Sequence, residues 1–118
     1  MALPAPSIKG FTDAISLSKS NDPVGLSIPN EADLPTMNDV FAILGNNQEA
    51  PDWRGARVQA GYWNDKIGDI ERVRDLSVPI PKKELEKYLN KSVIVRYQSS
   101  GESDLEISSE PLELRIEP

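Results

Sequence analysis

The chain has 118 residues, a net charge of −6, ten prolines, seven glycines and neither cysteine nor histidine. Its length suits one domain with one core, about what a two-sheet sandwich needs. The acidity argues against a nucleic-acid partner, which calls for concentrated Lys and Arg, and the missing His and Cys remove most catalytic triads, thiol nucleophiles and nearly every zinc or copper site. Apolar residues at 38% and charged residues at 27% leave enough hydrophobic surface for a modest core. So many prolines and glycines disfavour long helices and favour short strands joined by turns, an all-β class. No stretch approaches a membrane span, and the start lacks the basic region and apolar run of a signal peptide. The expectation is either a module excised from a longer chain or a protein without a conventional export signal, with no membrane insertion.

In chain order, residues 1–6 read as an extended Pro-rich lead-in and residues 7–118 as the domain. Ser7-Ile8-Lys9 is expected to form a short edge strand. Ala14-Ile15-Ser16-Leu17 alternates weakly, and the polar run 18–23 turns the chain. Val24, Leu26 and Ile28 alternate as a strand before Pro29, and 30–38 forms a long loop. Residues 39–45, nearly continuously apolar, predict a central strand that is buried on both faces or meets a partner with its outer face. An exposed loop follows at 46–52. Residues 55–63 are expected to be the partner strand, with Arg57, Gln59 and Gly61 on one face and Val58, Ala60 and Tyr62 on the other. Asn64-Asp65-Lys66 turns, and 67–74 leads back.

From Leu76 the pattern is clearest. Leu76, Val78 and Ile80 are apolar at every second position, as are Val93, Val95 and Tyr97, and again Leu112, Leu114 and Ile116, which predicts three half-buried strands. Between the first two, Leu85, Tyr88 and Leu89 share one face of a short helix over about 81–89, with Pro81 at its first helical position. Residues 99–104 are polar and read as a hairpin loop.

The run Val78-Pro79-Ile80-Pro81, the helix, Val93-x-Val95-x-Tyr97, a Gly-containing loop and Ser109-x-Pro111-Leu112-x-Leu114-x-Ile116 resembles the second half of bacterial immunoglobulin-like modules. These occur, often in tandem, in large Pseudomonas-type surface or secreted proteins. Leu3-Pro4-Ala5-Pro6-Ser7-Ile8 is similar to the segment that opens them. In the middle the chain departs from that pattern: where the modules carry Asp-x-Val-x-Leu-x-Trp-x-Gly, it has Asp39-Val40-Phe41-Ala42-Ile43-Leu44-Gly45, without Trp. The resemblance implies an immunoglobulin-like two-sheet Greek-key sandwich of about seven strands with one short helix, held without a disulfide. It also implies neighbouring modules of the same kind as partners and an extracellular or cell-surface setting.

Three groups of residues bear on chemistry. Acidic loops, with Glu31, Asp33 and Asp39, with Asp52, and with Asp65 and Asp69, offer oxygen ligands for calcium. None has the Asp-x-Asp-x-Asp-Gly type of spacing, so they read as solvated acids and caps, and no metal or cofactor is expected. Trp53, Arg54, Arg57, Tyr62 and Trp63 form an aromatic and arginine cluster. Adjacent strand residues point to opposite faces, so Tyr62 and Trp63 cannot both enter the core. One outward aromatic beside Arg has the composition of a protein or carbohydrate contact, against the alternative that one Trp supplies the central core aromatic and the other covers a sheet end. Tyr97 is expected to pack inward with its hydroxyl on backbone near the helix. Lys82, Lys83, Lys87 and Lys91 make the helix locally basic, and Glu102, Asp104, Glu106, Glu110, Glu113 and Glu117 make the last hairpin acidic.

These signals specify packing rather than a reacting group. The reading is a non-catalytic structural or binding module for protein or glycan contact, not an enzyme. A passive spacer in a tandem array, a small carboxylate-dependent hydrolase and a module that adds an edge strand to a partner's sheet are the alternatives.

Overall fold

The computed structural model describes residues 3–101 and 106–118. Twelve strands and one short helix follow one another: β1 (Ser7–Ile8), β2 (Ala14–Ser16), β3 (Val24–Ser27), β4 (Asp39–Leu44), β5 (Trp53–Arg54), β6 (Val58–Gln59), β7 (Gly61–Asn64), β8 (Asp69–Arg72), β9 (Ser77–Ile80), α1 (Lys82–Glu86), β10 (Ser92–Ser100), β11 (Glu106–Ser108) and β12 (Leu112–Glu117), with a 3-10 turn at Leu17–Lys19. The described chain is thus mostly β, as the Pro- and Gly-rich composition predicts. Ser99 and Ser100, expected in the hairpin loop, extend β10 instead, while 102–104 of that loop, with Glu102 and Asp104, lie outside the described residues.

The strands form two sheets and a separate ribbon. A small sheet runs β1-β3-β9, a large one runs β2-β12-β10-β4-β5, with β6 also on β4 and β11 also on β10, and β7 pairs only with β8. All pairs are antiparallel except β2 with β12. The first strand therefore divides: β1 pairs with β3 in one sheet and, after Gly10 at φ 88°, β2 joins the other.

Alternation explains the core. Leu26, Val78 and Ile80 of the small sheet belong to the same buried cluster as Val40, Ala42, Leu44, Val95, Tyr97, Leu114 and Ile116 of the large one. Removing this apolar surface from water is the main favourable term holding the sheets together. β4 is buried along nearly its whole length, Phe41 and Ile43 included, although these two point away from that cluster. Their outer face is covered by the chain itself. The Arg57 guanidinium lies 4.9 Å from the centre of the Phe41 ring, and Gln98, opposite Phe41, donates from Nε2 to Gln48 O and to Ser108 Oγ, each at 2.9 Å.

Two expectations need correction. The partner of β4 is not one strand over 55–63. Ile43 pairs with Arg54 and Val40 with Val58, so one extra residue is inserted at 55–57, a β-bulge at the sheet edge. After Gln59 the chain leaves β4 altogether, and the alternation breaks there: Ala60 and Gly61 are both buried while Tyr62 is exposed. The helix, too, is shorter than 81–89. Pro81 occupies its cap rather than its first turn, and Leu89, beyond the helix end, is exposed and bridges to Ile116 instead of completing an apolar face.

Tyr97 packs inward as expected, and its hydroxyl donates to backbone, but to Pro4 O of the opening segment, at 2.7 Å. Glu110 N donates to Leu3 O at 2.7 Å, so the two bonds fasten the opening segment across the large sheet. Burial pushes the Tyr97 hydroxyl up to about 12 from its ordinary 10.0, with the Arg72 charge opposing and Glu31 reinforcing. The raised value makes the neutral phenol a stabilising group whose contribution is complete below the unfolded value and is lost as pH rises toward the folded one. Tyr97→Phe is expected to cost about 1 kcal/mol near neutrality through the lost Pro4 bond. It is also expected to flatten the fall in stability between pH 10 and 12, read from denaturant midpoints. Parallel alkaline losses in both proteins would contradict this assignment.

Candidate functional site

The five aromatic and arginine residues singled out by the sequence fall into two groups. Trp53, Arg54 and Arg57 belong to the bulged edge of the large sheet. Trp53 is half-buried, lies beside Leu44 in register and packs against the core. Its ring closes over Gly55, where a Cβ would stand 2.9 Å from Trp53 Cη2 and 3.3 Å from Pro79 O. Arg54 faces Glu106 at 3.5 Å and Arg57 faces Asp39 at 3.8 Å, both solvent-exposed pairs of small energetic weight. Arg54, beside Ile43, and Arg57, over Phe41, thus lie on the outer face of β4, while Trp53 closes the core side of the same edge.

Tyr62 and Trp63 stand on the β7–β8 hairpin, whose turn is legible residue by residue. Asn64 Oδ1 accepts from Lys66 N at 3.0 Å, Asn64 O accepts from Gly68 N at 2.9 Å, and Gly68 takes φ 65°, the left-handed step that glycine makes cheaply. Tyr62 pairs with Glu71 and Trp63 with Ile70, so the hairpin has a polar face and an apolar one. On the polar face Tyr62 Oη donates to Glu71 Oε2 at 2.5 Å, and Asn64 Nδ2 donates to the same oxygen at 2.9 Å. These donors, the tyrosine first, hold the Glu71 carboxyl below its usual range, with the Arg74 charge adding to them, while the same bond raises the Tyr62 hydroxyl. A carboxyl held down in this way is the opposite of a general acid, which needs a raised pKa.

The apolar face borders a shallow groove of about 210 Å³ between Trp63 and Ile70 on one side and Thr36, Met37 and Gln59 on the other. Trp63 is 60% exposed, Tyr62 47% and Met37 71%, and Ile67 at the hairpin turn is 60% exposed. Trp63 Nε1 donates to Asp65 Oδ1 at 2.6 Å, which favours one orientation of the ring. Gly61 makes the groove possible. A Cβ there would lie 2.6 Å from Thr36 O and 2.9 Å from Ile70 Cγ2, so only glycine lets β7 pass so close beneath the 30–38 loop. That loop is tied down by Arg72 Nη1 donating to Ala32 O at 2.6 Å and by Asn30 exchanging bonds with Asp75 at 2.8 and 3.1 Å.

The sequence reading finds Tyr62 and Trp63 but not Met37, Gln59 or Ile70, which reach them through the fold. Ile70 was traceable in principle, because a four-residue turn over 65–68 sets it opposite Trp63. Met37, in a polar loop, gives no such signal. Among the described residues no three acidic side chains converge on a point where a cation would be held, and no helix is long and apolar enough to cross a membrane. Neither a family model, nor a curated protein, nor a solved structure matches the chain.

Two outcomes follow from this geometry. Gly61→Ala is expected to destabilise the protein by about 1–3 kcal/mol, as overpacking against fixed backbone does, measured by chemical denaturation; an unchanged midpoint would mean the loop yields freely. Tyr62→Phe removes the main cause of the low Glu71 pKa, so in an NMR titration the Glu71 carboxyl is expected to move up toward the ordinary carboxylate range. In the wild type the Glu71 contribution is present above its unfolded value and disappears as pH falls through the folded one.

Proposed function

We propose that the chain is an immunoglobulin-like, non-catalytic binding module whose contact surface is the β7–β8 hairpin with the 30–38 loop. The fold reading is supported by strand order. Constant-type immunoglobulin domains place strands A, B and E in one sheet and C, F and G in the other, and β1, β3 and β9 face β4, β10 and β12 in the same order here. The segment between β4 and β9, where that fold commonly places its strand D, carries the projecting hairpin instead. By the sequence resemblance, the setting is a bacterial surface or secreted protein, with further modules of the same kind as neighbours.

One observation carries the binding reading: an indole 60% exposed whose N–H is nonetheless already bonded within the hairpin, to Asp65. Exposing so much ring costs hydration free energy, and an exposed aromatic beside a groove is the form of an interface anchor. The passive-spacer alternative calls for both tryptophans to be buried, and Trp63 weighs against it. The hydrolase alternative calls for a raised carboxyl, and Glu71 is shifted the other way.

The test presents two probes, a glycan array and a displayed peptide library, to wild type and Trp63→Ala. Because Trp63 supports no core contact, its loss is expected to change stability by no more than about 0.5 kcal/mol. A retained ligand that Trp63→Ala no longer holds supports the proposal. Blank results from both probes, or signals indifferent to the substitution, would leave the spacer reading in its place.

A further inference from the structure

We propose that the groove beside Trp63 takes a bulky apolar side chain carried on a basic segment of a partner protein, an inference that rests on the binding-module reading above. The groove decides the first half. Its walls are an indole, a thioether and an isoleucine, and its polar aromatic groups are already engaged, Trp63 Nε1 on Asp65 and Tyr62 Oη on Glu71. Thr36 and Gln59 are the remaining hydrogen-bonding side chains of its lining, few for the hydroxyls of a sugar ring and sufficient to orient a peptide. At about 210 Å³ the space is that of one large side chain, the anchor-in-pocket arrangement of interface hot spots.

Charge decides the second half. Segments 30–39 and 61–75, which supply all of the groove lining but Gln59, hold seven acids (Glu31, Asp33, Asp39, Asp65, Asp69, Glu71, Asp75) against three bases (Lys66, Arg72, Arg74). Seven negative and three positive charges leave −4, and Arg57, which pairs with Asp39, brings the neighbourhood to −3, half of the −6 of the whole chain. One of those bases does not face a ligand: Arg72 is turned to Ala32 O. The hairpin and loop together therefore attract Lys and Arg, and such complementarity acts mainly on the encounter rate and on the choice of partner.

The experiment pans a random peptide library displayed on phage against the full chain and then measures a synthetic copy of an enriched peptide. The expected consensus sets an aromatic or large aliphatic residue beside Lys or Arg. Binding is expected to weaken at least about tenfold in Trp63→Ala. It is also expected to fall as salt is raised, and to associate more slowly with the double variant Asp33→Asn, Asp69→Asn. Enriched peptides that need Trp63 but lack basic residues or are indifferent to salt, or glycan retention that needs Trp63, would overturn this inference and leave the binding-module reading intact. No enriched peptide at all, or enrichment unaffected by Trp63→Ala, would overturn it as well.

Discussion

The nine residues of β10 are the constraint on which the structure depends. Along one edge the strand pairs with β4 over Val95 to Ser100; along the other it pairs with β12 at its start and with β11 at its end. Its inward side chains Val93, Val95 and Tyr97 sit in the core, and Ser99, also buried, accepts the Asn38 amide at 2.9 Å. A one-residue slip would send those side chains to the outer face and bring Arg96 inside. Register along this strand therefore specifies the core, the placement of β4 and, through β4, everything attached to its far edge.

That far edge is where packing gives way to display. The bulge at 55–57 lets Trp53 fold over Gly55 while Arg57 covers Phe41, so the sheet is finished by its own side chains. The chain then departs for the hairpin, which has only loop 30–38 and the small contact surface around Gly61 to hold it. A two-stranded ribbon is marginal by itself. Here the Tyr62–Glu71–Asn64 cluster, the Asn64 turn and the Arg72 and Asn30 tethers supply what a third strand would. The aromatic surface is thus a local structure with its own supports, attached to the core yet separate from it.

How much of this a reader of the sequence can see depends on which physics sets each part. Alternation marked β3, β9, β10 and β12, because in these strands a single face meets the core and period two survives, whereas β4 was marked by its unbroken apolar run, in keeping with burial on both faces. Alternation failed over 55–63, where a bulge and a change of sheet shift the phase: Val58 and Ala60 follow the expected face, Gly61 and Tyr62 do not. Sterics placed at least one of Tyr62 and Trp63 outside; that both are outside follows from the ribbon having no sheet behind it. Met37 and Gln59 join them only through tertiary geometry. Tyr97 was legible as an inward residue, but its partner on Pro4 lies 93 positions away, beyond any local pattern.

The finished edges have one more consequence. β9, at the border of the small sheet, contains Pro79, which has no N–H to offer, and the borders of the large sheet are the three residues of β2 and the two-residue pieces β5 and β6. Short, kinked or proline-blocked margins give a second chain little backbone to align against. An exposed aromatic beside a long free strand edge is the combination that favours aggregation. In this molecule the borders of both sheets are guarded in this way, and the open edges beside the indole are those of two four-residue ribbon strands, β7 and β8, so backbone templating there is confined to a short margin.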